Sequence, residues 1–183
     1  MFPGIFLDRD GVINILKLMG ADITLNNQRE VGGEPVADIR IKYAPLKGIN
    51  IPEDQVPLAI DEFPAIFIVA ACAEGETVLT GAEELRVKES DRIKAVVAML
   101  RVNGVEVEET DDGFIVHGCS GAVPGGGLVE THHDHRIAMS ALIMGTASQK
   151  PVSIDDAAMI ATSYPDFMDH MAELGADISE GKA

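Results

Sequence analysis

Three segments of the 183-residue chain read alike, and this recurrence constrains the fold more than any single residue. They are ILKLMGADI, VAMLRVNGVEV and HMAELGADI, with glycines at Gly20, Gly104 and Gly175. Each runs from a helical stretch through a glycine into a short strand, and the glycine suits the left-handed closing position of a helix. In the middle copy Ile93, Val96, Val97 and Leu100 share one helical face, and Ser90 stands where an N-cap is expected. A second unit also recurs. LAIDEFPAIFIVAACAEGETVL and THHDHRIAMSALIMGTASQKPVSI both pass from an acidic start through an all-round apolar helix to a polar turn and a short strand. A helix apolar on every side belongs in an interior. Strand candidates at 36–41, 105–107 and 114–116 lie between these units. The expected class is α/β: tandem strand-and-helix modules about buried helices, with strand order left open. The third copy is expected to end after one strand near Ile178, and the first begins abruptly at its helix, as in part of a larger repeating architecture.

The charge balance narrows the function. Against 30 Asp and Glu stand only 14 Lys and Arg, a net charge of −16, which argues against a nucleic-acid surface. The longest apolar run, 63–73, is too short for a bilayer and contains Pro64, so no membrane partner is expected. No cationic and then apolar leader opens the chain, and the expected compartment is the cytoplasm. Cys72 and Cys119 make no disulfide framework, and Cys72 reads as a small core residue. Gly125, Gly126 and Gly127 read as a flexible loop, without the Lys-Ser/Thr of a phosphate-binding P-loop.

Chemistry concentrates at two helix starts. Arg86, Lys88, Arg92 and Lys94 cluster within an acidic chain, either as a local anion site or as a solvated helix start paired with Glu83, Glu84, Glu89 and Asp91. With Ser90 as cap, Arg92 falls in the first turn and Lys88 and Glu89 in the loop before it. Backbone N–H groups and the positive dipole end favour anions there. Arg92 offers a bidentate grip, Lys88 a compact charge, and Glu89 a proton-exchanging carboxyl. The second start is Thr131-His132-His133-Asp134-His135-Arg136. Zinc is weighed for its three histidines and Asp134, but neighbouring residues rarely aim at one ion. The plain alternative is Asp134 as a cap beside surface histidines. Asp61, ahead of Pro64, is either a helix cap or a general base held near anions.

These strings carry a resemblance. LAIDEFPAIFIVAACAEGETVLTGAEELRVKESDRIKAV, HHDHRIAMSALIMG and MIATSYPDFMDHMAELGAD resemble the second half of the 5-enolpyruvylshikimate-3-phosphate synthase family. The bacterial branch that includes glyphosate-tolerant forms is most similar; NQREVGGEPVADIRI and PLKGINIPED also fit. The likeness implies repeated βαβαββ-type modules around buried helices, as one domain of a two-domain inside-out α/β barrel. Residues 1–183 would then be a single incomplete domain, with an atypical segment at 1–10 and the family match at 11–178. The implied reaction transfers the enolpyruvyl group of phosphoenolpyruvate to the 5-hydroxyl of shikimate 3-phosphate, with no metal or organic cofactor. Asp61 would accept the hydroxyl proton and contact shikimate 3-phosphate. Lys88 would touch that ligand and the reacting centre, and Glu89 would serve proton transfer at the methylene carbon. Arg92 and Arg136 would hold phosphoenolpyruvate, with His135 supporting. The family shares its site between two domains, so the chain would need the absent N-terminal domain and would be inactive alone.

Two features depart from the family. Thr162 stands where one branch has a lysine, in a context that fits the other branch. FLDRDGVIN resembles the opening of haloacid-dehalogenase-type phosphatases, in which Asp8 would be the nucleophile and Asp10 the acid/base around magnesium, with Asp155-Asp156 a weak candidate for the further metal acids. That phosphatase, and a non-catalytic truncated repeat domain, are the alternatives.

Overall fold

The repeat takes shape as two three-stranded sheets with the same strand order. The computed structural model describes residues 2–6 and 11–180. The first module is β1 (Phe2–Phe6), α1 (Gly11–Leu18), β2 (Asp22–Val31) and β3 (Glu34–Lys42), an antiparallel sheet ordered β1-β3-β2. The second is α2 (Phe63–Cys72), β4 (Glu76–Leu79), α3 (Arg92–Val102), β5 (Glu106–Glu109) and β6 (Phe114–His117), an antiparallel sheet ordered β4-β6-β5. Each β4, α3, β5 and β6 thus stands where β1, α1, β2 and β3 stand in the first.

Ahead of α2, Lys47 bridges Glu74 and Asn50 bridges Val78 in parallel. Parallel pairing requires a crossover, and α2 supplies it. Strand, α2, β4, α3, β5, β6 gives the expected βαβαββ order once in full. The third unit has β7 (Val123–Gly125), β8 (Leu128–Val129), α4 (His135–Thr146), β9 (Ser148–Lys150) and β10 (Ser153–Ile154), followed by α5 (Ile160–Ser163) and α6 (Phe167–Glu173). Here β7 pairs β9 and β8 pairs β10 in parallel, again across an apolar helix.

The three repeat glycines follow α1, α3 and α6 with φ of 99°, 80° and 90°. A side chain pays for that conformation with about 1–2 kcal/mol, and at Gly104 a Cβ would also sit 3.1 Å from the Pro124 ring. Gly104→Ala is therefore expected to destabilise by about 1–2 kcal/mol or slightly more in urea unfolding. An unchanged midpoint would contradict that role. The strand expected to end near Ile178 does not form: 176–180 are irregular.

The apolar helices are interior, as their composition requires. In α2, Phe63, Ile66, Phe67, Ile68, Ala70 and Ala71 are buried, and the Phe67 ring lies 4.1 Å from that of Phe114. α4 packs on α2 and buries Ile137, Ala138, Ala141 and Met144. Two expectations change. The glycine loop is tightly packed: Gly125 N–H donates to the Asn103 carbonyl and Gly127 N–H to Asn103 Oδ1. A Cβ on Gly127 would lie 2.6 Å from the Val102 carbonyl oxygen, so close approach rather than flexibility calls for glycine. Cys72 is only partly enclosed and lines an apolar groove of about 650 Å³ with Leu16, Ile23, Ile41 and Val69. Burial, with a smaller contribution from Cys119, pushes its thiol pKa up.

Candidate active site

The starts of α2, α3 and α4 meet through their side chains. Pro64 lies in the first turn of α2, and Glu62 at its N-cap position makes no side-chain cap bond among the described residues. Asp61 Oδ1 lies 3.1 Å from Arg92 Nη1 and 3.5 Å from Lys88 Nζ. At α3 the cap is Asp91, accepting from Lys94 N–H at 3.1 Å. Ser90, expected in that role, instead donates its hydroxyl to Asp134 at 3.0 Å. At α4, Asp134 caps as expected, accepting from Arg136 N–H at 2.9 Å.

Arg92 lies at the centre, its side chain 1% exposed. Its Nε donates to Asp134 Oδ2 at 2.9 Å, Nη1 to Asp61, and Nη2 to Glu89. Three carboxylates thus hold one guanidinium, a planar fork with charge-assisted bonds. Arg136 Nη1 donates to the Asp61 carbonyl at 2.7 Å and lies 3.7 Å from Glu62. Lys88 also pairs with Glu84. His135 is the first residue of α4. Asp61, Lys88, Glu89, Arg92, His135 and Arg136 therefore gather at three helix starts that lie far apart in sequence.

Each of the four clustered cations has an acid partner, but the start is not simply solvated: Arg92 is buried and bonds Asp61 and Asp134 as well as Glu89. Arg86 pairs with Asp91 and Glu109, and Lys94 with Asp91. His133 is exposed and faces Asp156 at 3.4 Å. Asp155 accepts from Thr131 N–H and Asp156 from Ala158 N–H, so both acids shape turns. Among the described residues no three His, Cys, Asp or Glu side chains gather as a metal site. Asp8 and Asp10 lie outside the described residues. Thr162 is on α5, its hydroxyl donating to the Met159 carbonyl.

Sequence reasoning found Asp134 as a cap and missed its partnership with Arg92, 42 residues away. The one available signal was a pair of helix starts, one rich in cations and one led by an acid.

The field of this cluster acts on its carboxyls. Burial alone raises the Asp61 pKa, but the charges of Arg136, Lys88 and Arg92 outweigh it and hold the group below its ordinary 3.8. Burial likewise raises Asp134, and the Arg92 hydrogen bond and charge, Arg136 N–H and the Ser90 hydroxyl reverse it. Folded values below the unfolded ones mean that these groups contribute stability fully above the unfolded pKa. That contribution is lost as pH falls through the folded values. Unfolding free energy is expected to fall between about pH 4 and lower pH, less steeply in Asp134→Asn. A slope that the substitution leaves unchanged would contradict the assignment.

The fold is shared with the enolpyruvyl transferase NikO from Streptomyces tendae, which superimposes with a TM-score of 0.57 at 20% identity over 94% of this chain and 36% of that one. The model of the EPSP synthase (3-phosphoshikimate 1-carboxyvinyltransferase) family matches residues 6–171, and the chain belongs to that family. It is 67% identical over 170 residues to the 3-phosphoshikimate 1-carboxyvinyltransferase of Hyphomonas neptunium, covering 93% of this chain and 39% of the relative. With that of Parvibaculum lavamentivorans it shares 59% over 168 residues, 92% of this chain and 37% of the relative. An EPSP synthase structure from Acinetobacter baumannii superimposes with a TM-score of 0.93 at 52% identity, over 98% of this chain and 42% of that one. The chain thus spans about two fifths of the length of these relatives. Among the described residues no helix is long and apolar enough to cross a membrane.

Proposed function

We propose that the chain forms the C-terminal part of an enolpyruvyl transferase acting on phosphoenolpyruvate and shikimate 3-phosphate. The observation that carries this reading is the convergence of Asp61, Lys88, Glu89, Arg92 and Arg136 at three helix starts. Two anionic substrates need fixed cations, and helix N-termini add backbone donors and a favourable dipole. Asp61, a carboxylate whose pKa its neighbouring cations hold below the ordinary value, accepts the proton of the 5-hydroxyl. The 5-oxygen then bonds to C2 of phosphoenolpyruvate while the methylene carbon takes a proton from Glu89. In the second step that carbon returns a proton to Glu89, the bond between C2 and the phosphate oxygen breaks, and phosphate leaves with the bond electrons and takes up the proton held by Asp61. Lys88 supports the reacting centre, Arg92 and Arg136 orient phosphoenolpyruvate, and His135 supports them. Preorganised charges of this kind lower the barrier without reorganising during reaction.

On this reading residues 1–183 are one incomplete domain with the family match at 11–178, the remaining shikimate phosphate contacts come from an N-terminal domain, and the compartment is the cytoplasm. The relatives' greater length supports the need for a second part. The chain mixed with the matching N-terminal part of a full-length relative should form the enolpyruvyl product with release of phosphate. In deuterated water it should also place deuterium on the product's methylene carbon, and Glu89→Gln should slow that incorporation by about 10²–10⁴-fold, the usual range for a general acid–base. No product from a folded mixture would reject the transferase reading, and undiminished deuterium incorporation would remove Glu89 from its role.

A further inference from the structure

We infer that Asp134 is a positioning residue for the proposed transfer, acting through Arg92 on both proposed proton-transfer acids; this rests on the transferase reading. Asp134 is 0% exposed, so it does not itself meet a substrate. Its Oδ2 takes Arg92 Nε at 2.9 Å and the Ser90 hydroxyl at 3.0 Å. Its Oδ1 takes Arg136 N–H at 2.9 Å, with Arg92 Nη2 at 3.5 Å. One carboxylate therefore ties the start of α4 to the start of α3.

The consequence follows from guanidinium geometry. The group is planar and rigid, so holding its Nε edge fixes the directions of both terminal nitrogens. One of these meets Asp61 and the other Glu89, acids that belong to the approaches of two different helices. The same Oδ1 holds the backbone of Arg136, whose side chain bonds the Asp61 carbonyl at 2.7 Å. A loosened Asp134 would thus release Asp61 from two directions and Glu89 from one.

Asparagine separates positioning from folding. It keeps the volume and remains a good helix cap through its oxygen. With that oxygen on Arg136 N–H, its NH2 faces the Arg92 Nε–H, donor against donor. Asp134→Asn therefore breaks the anchor while sparing the cap.

The test is a double-mutant cycle in the two-part mixture. Asp134→Asn is expected to lower kcat/KM by about 100-fold, the scale of a misplacement near 1 Å. In an Arg92→Lys background, which lacks the fork, the same change should cost less than about threefold. Equal losses in both backgrounds, or no loss in the first, would overturn the inference. The anchor is read independently in the chain alone by NMR. The Arg92 Nε–H should exchange slowly with solvent and become fast in Asp134→Asn. Exchange in the parent chain as fast as that of exposed Arg40 would overturn the anchor, whatever the mixture does. A parent mixture that makes no product, with a protected Arg92 Nε–H, would sink the transferase reading and leave the anchor standing.

Discussion

Arg92→Ala is expected to destabilise the chain by about 3–5 kcal/mol, because it strands a carboxylate in the interior. Arg92 is 1% exposed and Asp134 0%, so water cannot replace the lost guanidinium without opening the packing between α3 and α4. The asymmetry of buried pairs decides the size. Forming such a pair contributes little net stability, since desolvation offsets attraction, whereas removing one partner leaves the whole penalty. Asp61 and Glu89 lose a partner too, but they are more exposed, at 26% and 53% of their side chains, and water compensates them. For a domain of this size the expected loss lowers Tm by roughly 10 °C or more. Thermal and urea unfolding check it, and a loss under about 1 kcal/mol would show that the cluster is not desolvated.

Asp61→Ala should have the larger effect on turnover. Acid–base groups contribute about 10²–10⁴-fold, and Asp61 also anchors Lys88 and Arg92, so a fall in kcat of roughly 10³-fold or more is expected in the two-part mixture. Stability should change much less, because the side chain is partly exposed at the edge of the cluster. Steady-state kinetics beside an unfolding curve separate the two. A kcat within tenfold of the parent would remove Asp61 as the base.

What could be read from the sequence differs sharply between elements. The helix–glycine–strand repeat was legible because it is local: period, a closing glycine and a short β-branched run lie within about a dozen residues. The apolar α2 and α4 announced their burial by lacking a polar face. Strand order was not legible, since β6 lies between β4 and β5 through pairings that no local pattern encodes. The third copy shows the same limit. HMAELGADI has the pattern of the others, yet 176–180 form no strand.

The site divides along the same line. Asp61, Lys88, Glu89, Arg92 and Arg136 could be picked out by chemical type and helix-start position. Their convergence depends on three helix starts meeting, which is tertiary. Ser90 and Asp91 illustrate the difficulty at one position. Both are good caps, and the choice fell to Asp91 because Ser90 was drawn to Asp134 by the approach of α4. The importance of Asp134 stayed hidden for the same reason, since a capping aspartate looks the same whether it faces water or a buried arginine.

The central claim is that this chain carries one part of an active site completed by a second polypeptide region. It is tested most directly by phosphate release from phosphoenolpyruvate in the presence of shikimate 3-phosphate, with this chain held constant and the N-terminal part of a relative titrated in. The account predicts no release from either part alone and release that rises and saturates with the added part. Release by this chain alone at the mixture's rate, or none from two folded parts at saturation, would contradict it.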